Sequence, residues 1–98
     1  MLYFEWNEIK NDANIRKHGI DFDDAISIFD GPTVEGPDNR FDYGEDRVLA
    51  FGATNGQVLA VVYTMRGDVC RIISARKAEK NERRKYYRAT VPQGPPTR

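Results

Sequence analysis

The residues most able to do chemistry in this 98-residue sequence are arginines, a single histidine and tyrosines. Arg66 and Arg76 each end a β-branched, strand-like run, and a guanidinium can make two parallel hydrogen bonds to a phosphate. Histidine is the residue type that ordinarily titrates near neutrality, so His18 is a candidate general acid or base. The alternative is that His18 only completes a helix that ends before Gly19.

A run of basic residues follows Arg76 on a predicted helix over residues 77–89, where they recur at i, i+3, i+7 and i+11. With one further arginine, the candidate phosphate contacts are Lys77, Lys80, Arg84, Arg88 and Arg47. Tyr86 is expected to face the core. A solvated helix face stabilised by i,i+4 ion pairs is the competing interpretation.

Whether Arg66 and Arg76 act together depends on the hairpin between their strands. A two-residue loop, Gly67–Asp68, pairs Arg66 with Val69 and turns the two arginines to opposite faces. A three-residue loop that includes Arg66 makes them converge on one face. The residues alone do not decide between the two registers.

The elements that position these side chains are predicted in the order β-α-α-(β)-β-β-β-α. Strands are predicted over residues 2–6, 33–35, 47–53, 58–64 and 69–75, and helices over residues 8–18, 22–29 and 77–89. Asn55-Gly56 is a strong signal for a two-residue hairpin turn. Helices that precede an antiparallel meander are typical of an α+β fold, with helices on one sheet face and the other face open.

The two N-terminal helices have clear boundary signals. Asn7 is the predicted N-cap of the first, and Gly19 is its predicted left-handed C-terminal residue. Its narrow apolar side, Ile9 and Ala13, is expected to lean on the sheet. Asp21 is the predicted cap of the second helix, whose apolar stripe has the spacing i, i+3, i+4, i+7. The stripe consists of Phe22, Ala25, Ile26 and Phe29.

Composition bounds the class of protein. Residues 1–46 hold 12 acidic and 4 basic residues, a net charge of −8, and residues 47–98 hold 3 acidic and 11 basic residues, a net charge of +8. This polarity fits a nucleic-acid-binding face, and it equally fits charge pairing within the fold. One cysteine, Cys70, cannot build a disulfide framework. The absence of a signal peptide or membrane-spanning run predicts a soluble, cytoplasmic protein.

The length predicts one domain over residues 1–90, and the Pro/Gly-rich residues 91–98 are expected to form a disordered tail. No zinc, calcium, P-loop or dinucleotide motif is present, so no metal or other cofactor is expected.

Several stretches resemble the BrnT (DUF497) family of toxins from type II toxin–antitoxin pairs, and together they span residues 3–88. They are Phe4-Glu-Trp-Asn7, Asn14-Ile-Arg-Lys-His-Gly-Ile20, Phe22-Asp-Asp-Ala25, Val58-Leu-Ala-Val-Val-Tyr-Thr64, Arg71-Ile-Ile-Ser-Ala-Arg-Lys-Ala78 and Glu82-Arg-Arg-Lys-Tyr86. Their order along the chain is far more specific than any one of them.

The resemblance implies a RelE-like fold and a metal-independent ribonuclease that arrests translation and growth. It implies a cognate BrnA-like antitoxin, a ribbon-helix-helix DNA-binding protein that covers the basic face in a hetero-oligomer. Operator DNA would then be bound only through the antitoxin. It also favours convergence of Arg66 and Arg76, since it implies a concave sheet face lined with basic residues.

The resemblance also implies catalysis by Lys, Arg and Tyr rather than His, which adds Tyr87 to the candidates. The predicted catalytic residues are therefore Arg76, Arg66, His18 and Tyr87, with Glu82 expected to orient an arginine. The alternative is a non-catalytic nucleic-acid- or protein-binding module on the same fold. The presence of Arg66, Arg76 and His18 favours the enzyme.

Overall fold

The computed structural model describes residues 2–40 and 42–91, so the predicted tail lies almost wholly outside the described residues. Within these residues, five strands, three α-helices and one 3₁₀-helix follow one another. They are β1 (Tyr3–Glu5), α1 (Glu8–His18), α2 (Phe22–Ala25), the 3₁₀-helix (Ile26–Asp30), β2 (Thr33–Pro37), β3 (Val48–Thr54), β4 (Gln57–Arg66), β5 (Val69–Lys77) and α3 (Lys80–Thr90). Among these residues, none of the helices has the length and apolar character that spanning a membrane requires.

The strands form one mixed sheet in the order β1-β5-β4-β3-β2. The pairs β2–β3, β3–β4 and β4–β5 are antiparallel, which confirms the predicted meander. The turn at Asn55-Gly56 has two residues, both with positive φ, as expected for such a hairpin. Strand β1 pairs in parallel with β5, so the sheet is mixed and the fold is α+β.

The main core lies between one sheet face and the two N-terminal helices. Phe22, Ala25 and Ile28 are fully buried there, at a spacing of three residues. The predicted helix over residues 22–29 is wrong beyond Ala25, because the chain tightens into a 3₁₀-helix with three residues per turn. Ile28 packs against Gly52 of β3, where a Cβ atom would lie 2.6 Å from the Ile28 Cβ.

Helix α1 is capped as predicted. The Asn7 side chain accepts a hydrogen bond from Lys10 N, and Gly19 has φ 72°. The prediction of its packing side is wrong, because the buried residues are Asn11 and Asn14, while Ile9 is 77% exposed.

Asn14 fastens α1 to the edge of the sheet. Strand β1 ends beside Arg71, so among the described strands none pairs with the outer edge of β5 at Ala75. The Asn14 Nδ2 donates to Ala75 O at 2.9 Å and to Ile20 O at 2.8 Å, and its Oδ1 accepts from Ala75 N at 3.2 Å. One buried side chain therefore satisfies three backbone groups that would otherwise lack partners.

Helix α3 packs on the opposite sheet face. Ala78 and Tyr86 are buried against Val58 of β4, and the Tyr86 hydroxyl donates to Pro32 O at 2.8 Å. The prediction of a bare second sheet face is therefore wrong at this end of the sheet. The helix also begins at Lys80 rather than residue 77, because β5 continues to Lys77.

We expect Asn14→Ala to lower the free energy of unfolding by about 2–4 kcal/mol, because buried backbone groups of Ala75 and Ile20 lose their partners. Urea denaturation followed by circular dichroism measures the change. Asn81→Ala, at an exposed position in α3, is the matched control and should change stability little. An Asn14→Ala protein as stable as the parent would contradict the role of this side chain.

Candidate functional site

The hairpin between β4 and β5 has the two-residue loop, because Arg66 pairs with Val69. Gly67 has φ 61°, a conformation that glycine adopts readily. The register that would bring Arg66 and Arg76 together at the hairpin is therefore wrong.

A β-bulge nevertheless places both arginines on one sheet face. Tyr63 pairs with Ile72 and Val62 pairs with Ser74, so Ile73 is an extra residue in β5. Beyond the bulge the alternation of side chains is inverted. Ser74 and Arg76 therefore lie on the same face as the odd-numbered residues of β5 before the bulge.

We call this surface the arginine face and define it by Arg66, Arg71, Ser74 and Arg76. Arg76 pairs with Ala60, six residues along β4 from Arg66, which corresponds to about 20 Å. Arg66 and Arg76 therefore share a face without converging. Strict alternation along β5 would place Arg71 and Arg76 on opposite faces. Arg71 is not among the residues predicted from the sequence.

Arg76 is held by a bidentate ion pair with Glu82 of α3. Its Nη1 and Nη2 donate to the two carboxylate oxygens at 2.8 and 3.0 Å, and Nη1 also donates to Lys77 O at 3.2 Å. These bonds use three of the five N–H groups, and the Nε–H and the second Nη2–H are not used by them. The guanidinium is thus oriented in advance while it keeps donors for a ligand. The predicted ion pair between Glu82 and an arginine is confirmed.

The same contacts shift both pKa values. The pKa of Arg76 is raised, chiefly by the hydrogen bonds to Glu82. The hydrogen bonds from Arg76 hold the pKa of Glu82 below its usual 4.5, and Glu79 N adds a hydrogen bond of 2.7 Å in the same direction. Glu82 is therefore a carboxylate and Arg76 a guanidinium at every pH near neutrality.

The arginines on and beside the arginine face each have a carboxylate partner. Arg71 donates to Glu5 across the β1–β5 pair at 2.5 Å. At the hairpin end, the Oε1 atom of Glu45 lies 3.9 Å from the Nη2 atom of Arg66. The Oε2 atom of Glu45 accepts a hydrogen bond from Arg47 Nε at 3.1 Å. The five ion pairs within residues 2–40 and 42–91 are Arg40–Asp38, Arg47–Glu45, Arg66–Glu45, Arg71–Glu5 and Arg76–Glu82.

Arg40 acts electrostatically on Arg76, and the sequence-based predictions do not include it. It makes two hydrogen bonds to Asp38, at 2.8 and 3.0 Å, and these hold the pKa of the buried Asp38 carboxyl low. Asp38 extends the β2–β3 pairing, since its N–H donates to Arg47 O. The charge of Arg40 acts against the effect of Glu82 on the pKa of Arg76, so the two arginines influence each other electrostatically.

His18 lies at the outer edge of β5, where it lines a cleft with Ser74. Ser74 is two residues from Arg76 on the same face, about 7 Å along the strand. The structure therefore brings the predicted histidine into the neighbourhood of Arg76 without placing the two side chains in contact.

The predicted basic stripe is not assembled with Arg76. Lys77 belongs to β5 rather than the helix, and it pairs with Leu59 on the sheet face that the N-terminal helices cover. Arg84 is about 160° around α3 from the buried Tyr86, so it points away from the sheet. Lys80, Arg84, Arg88 and Tyr87 are all exposed.

Tyr87 lines a separate cleft with Lys77 and Gln57. Within the described part of the chain, no three His, Cys, Asp or Glu side chains are grouped so as to hold a metal ion. The arginine face offers oriented guanidinium groups, which can stabilise anionic phosphate oxygens.

Comparison with known proteins places these features in a family. A family model described as "Ribonuclease toxin, BrnT, of type II toxin-antitoxin system" matches residues 6–82. The crystal structure of the Brucella abortus ribonuclease toxin BrnT is similar, with 31% identity and a TM-score of 0.67. The match covers 82% of this chain and 100% of that chain. The comparison with curated proteins gives no match.

We expect Glu82→Gln to make the stability of the protein less dependent on pH. Because the folded-state pKa of Glu82 lies below 4.5, its ion pair stabilises the fold above pH 4.5, and this contribution is lost as the pH falls through the folded-state pKa. Urea denaturation at pH 7 and pH 3 measures the effect. The parent should exceed the variant in stability at pH 7, and the difference should shrink at pH 3; a constant difference would contradict the assignment.

Proposed function

The chain belongs to the BrnT family of ribonuclease toxins of type II toxin–antitoxin systems, and from this membership and the geometry of Arg76 we propose that it cleaves RNA on the arginine face. The observation that carries the proposal is the bidentate Arg76–Glu82 pair, which orients a guanidinium that keeps two N–H groups for a ligand. We assign the activity to the RelE-like endoribonuclease type.

The chemistry makes three demands. The ribose 2′-OH must lose a proton, the phosphorane formed by its attack must be stabilised, and the leaving 5′-oxygen must gain a proton. Arg76 meets the second demand, because its remaining N–H groups can donate to two phosphorane oxygens as negative charge develops. In this proposal Glu82 does not touch the RNA; it holds Arg76 in the productive orientation.

For proton transfer we propose His18 ahead of Tyr87. His18 lines a cleft with Ser74, two residues before Arg76, and Tyr87 lines a separate cleft with Lys77, the residue after Arg76. An imidazole can take a proton from the 2′-OH or give one to the leaving oxygen near neutral pH. The positive charge of Arg76 can do the work that a metal ion does in other nucleases, so cleavage is proposed to proceed without one.

The other arginines bind the RNA backbone in this proposal. Arg71 stands between Arg66 and Arg76 on the same face, with Arg47 beside the hairpin end. Each of these arginines already has a carboxylate partner, so a phosphate must share or displace that partner. The arginine face therefore carries little net positive charge before RNA binds. The exposed stripe of α3, with Lys77, contributes long-range attraction of RNA rather than direct contact. Its residues are Lys80, Arg84 and Arg88.

Membership of a type II toxin–antitoxin family implies a protein antitoxin. We propose a BrnA-like ribbon-helix-helix antitoxin that covers the arginine face with its own carboxylates, which would replace those of Glu5, Glu45 or Glu82. The hetero-oligomer would reach operator DNA only through the antitoxin, and the pair would act in the cytoplasm.

We expect Arg76→Ala to fold normally and to lose on the order of 100-fold or more in RNA cleavage, the scale for removing one oriented charge donor. Arg76→Lys should restore only part of the rate, because an ammonium cannot make the bidentate contact. Cleavage of a labelled RNA is measured in EDTA, with the 2′,3′-cyclic phosphate as diagnostic product.

Two controls sharpen this experiment. Arg16→Ala removes an exposed arginine from the outer side of α1 and should keep the parent rate. Arg66→Ala should weaken RNA binding with little loss of the maximal rate, because Arg66 lies about 20 Å from Arg76. A folded Arg76→Ala protein that cleaves at the parent rate would remove Arg76 from the mechanism.

Expression of this chain without its antitoxin is expected to arrest growth, and expression of the Arg76→Ala variant at equal level is not. Colony counts after induction measure the effect, and co-expression of the neighbouring antitoxin gene should restore growth. Arrest by both forms, together with RNA binding but no cleavage in vitro, would favour the non-catalytic binding module instead.

A further inference from the structure

We propose that the cleft between α1 and the bulge of β5 binds one nucleotide of the RNA. This nucleotide is adjacent to the phosphate that Arg76 binds. The inference rests on the proposed function and adds a second part to the site, on the outer edge of the sheet. It commits to single-stranded RNA as the substrate.

The cleft has cations along one rim. Lys10 and Lys17 are seven residues apart, two helical turns or about 10.5 Å, and so lie on the same flank of α1. Among the described residues neither lysine forms an ion pair, whereas every arginine of the arginine face has one. These two ammonium groups therefore meet a phosphate without first releasing a carboxylate.

The floor of the cleft is apolar and small. Ala13 lies between the two lysines on α1, and Ile73, the extra residue of the bulge, faces it from β5. An aliphatic surface bordered by cations suits a nucleotide, because the base or ribose covers the apolar floor while the phosphate meets the ammonium groups. The bulge is what provides this surface, since a regular strand has no extra residue here.

The cleft is rigid and continuous with the arginine face. Asn14 lines it and is tied to the backbone of Ala75 and Ile20 by three hydrogen bonds. Ser74 belongs to both the cleft and the arginine face and lies about 7 Å from Arg76 along β5. An RNA strand can therefore pass from Arg76 over Ser74 into the cleft, past His18.

This path requires an unpaired strand. A nucleotide whose base or ribose covers the apolar floor has left the base stack, and in a duplex that costs both stacking and pairing. The proposal thus predicts a preference for single-stranded RNA that comes from the fold rather than from base recognition.

The test measures binding of a 2′-O-methyl single-stranded RNA, which cannot be cleaved, at several salt concentrations. The double variant Lys10→Ala/Lys17→Ala should lose about tenfold or more in affinity, and its salt slope should fall by about 0.7, the value for one phosphate of a single strand. Lys17→Ala should lose affinity where Arg16→Ala does not, although both residues lie in the last turn of α1.

A variant of the floor gives an independent test. Ala13→Glu places a carboxylate between the two lysines, and the protein should remain folded because the new carboxylate would stand four residues before Lys17, a favourable i,i+4 arrangement in a helix. This variant should bind the 2′-O-methyl RNA at least as weakly as the double lysine variant. A duplex of the same sequence should bind the parent and Ala13→Glu equally.

The outcomes separate this inference from the proposed function. If the lysine variants and Ala13→Glu bind and cleave RNA like Arg16→Ala while Arg76→Ala is inactive, the ribonuclease assignment stands and the cleft is not part of the site. If the parent binds the single strand through the cleft and never cleaves RNA, the subsite stands and the catalytic proposal fails.

Discussion

The hydrogen bonds between the Asn14 side chain and the backbone of Ala75 are the constraint on which the rest of the structure depends. Strand β1 is too short to cover the edge of β5, and an uncovered edge there would leave buried backbone groups without partners. Asn14 covers the edge with a single amide and so fixes where α1 lies. Because His18 and Lys17 end the same helix, this contact helps to place them beside Ser74.

The second constraint is the bulge at Ile73. The inserted residue inverts the alternation of side chains halfway along β5. Arg71, before the bulge, and Arg76, after it, therefore lie on the same face. Without the bulge, Arg76 would point toward the main core, where an unpaired charge is costly. A local irregularity therefore makes the arginine face possible and provides the apolar floor of the neighbouring cleft.

The ion pairs explain how arginines can gather on a chain whose formal net charge is zero. Glu5–Arg71 and Glu45–Arg66 join the acidic first half of the chain to the basic second half, so part of the charge asymmetry is used inside the fold. Pairing orients the guanidinium groups before a ligand arrives, and it limits non-specific attraction to anions. An antitoxin that supplies carboxylates would extend a pattern that the toxin already uses within its own chain.

The sequence by itself determined the order of the elements and most of their boundaries, and it pointed to Arg76 and His18 as candidates, because caps, hairpin turns and apolar periodicity are local signals. It also indicated the family through the order of its motifs. Tertiary structure alone decided the rest. The burial of Asn14 rather than Ile9, the bulge at Ile73 and the pairing of β1 with β5 depend on contacts between residues far apart in the chain. Such contacts leave no periodicity in the residue types, and they decide which side chains share a face.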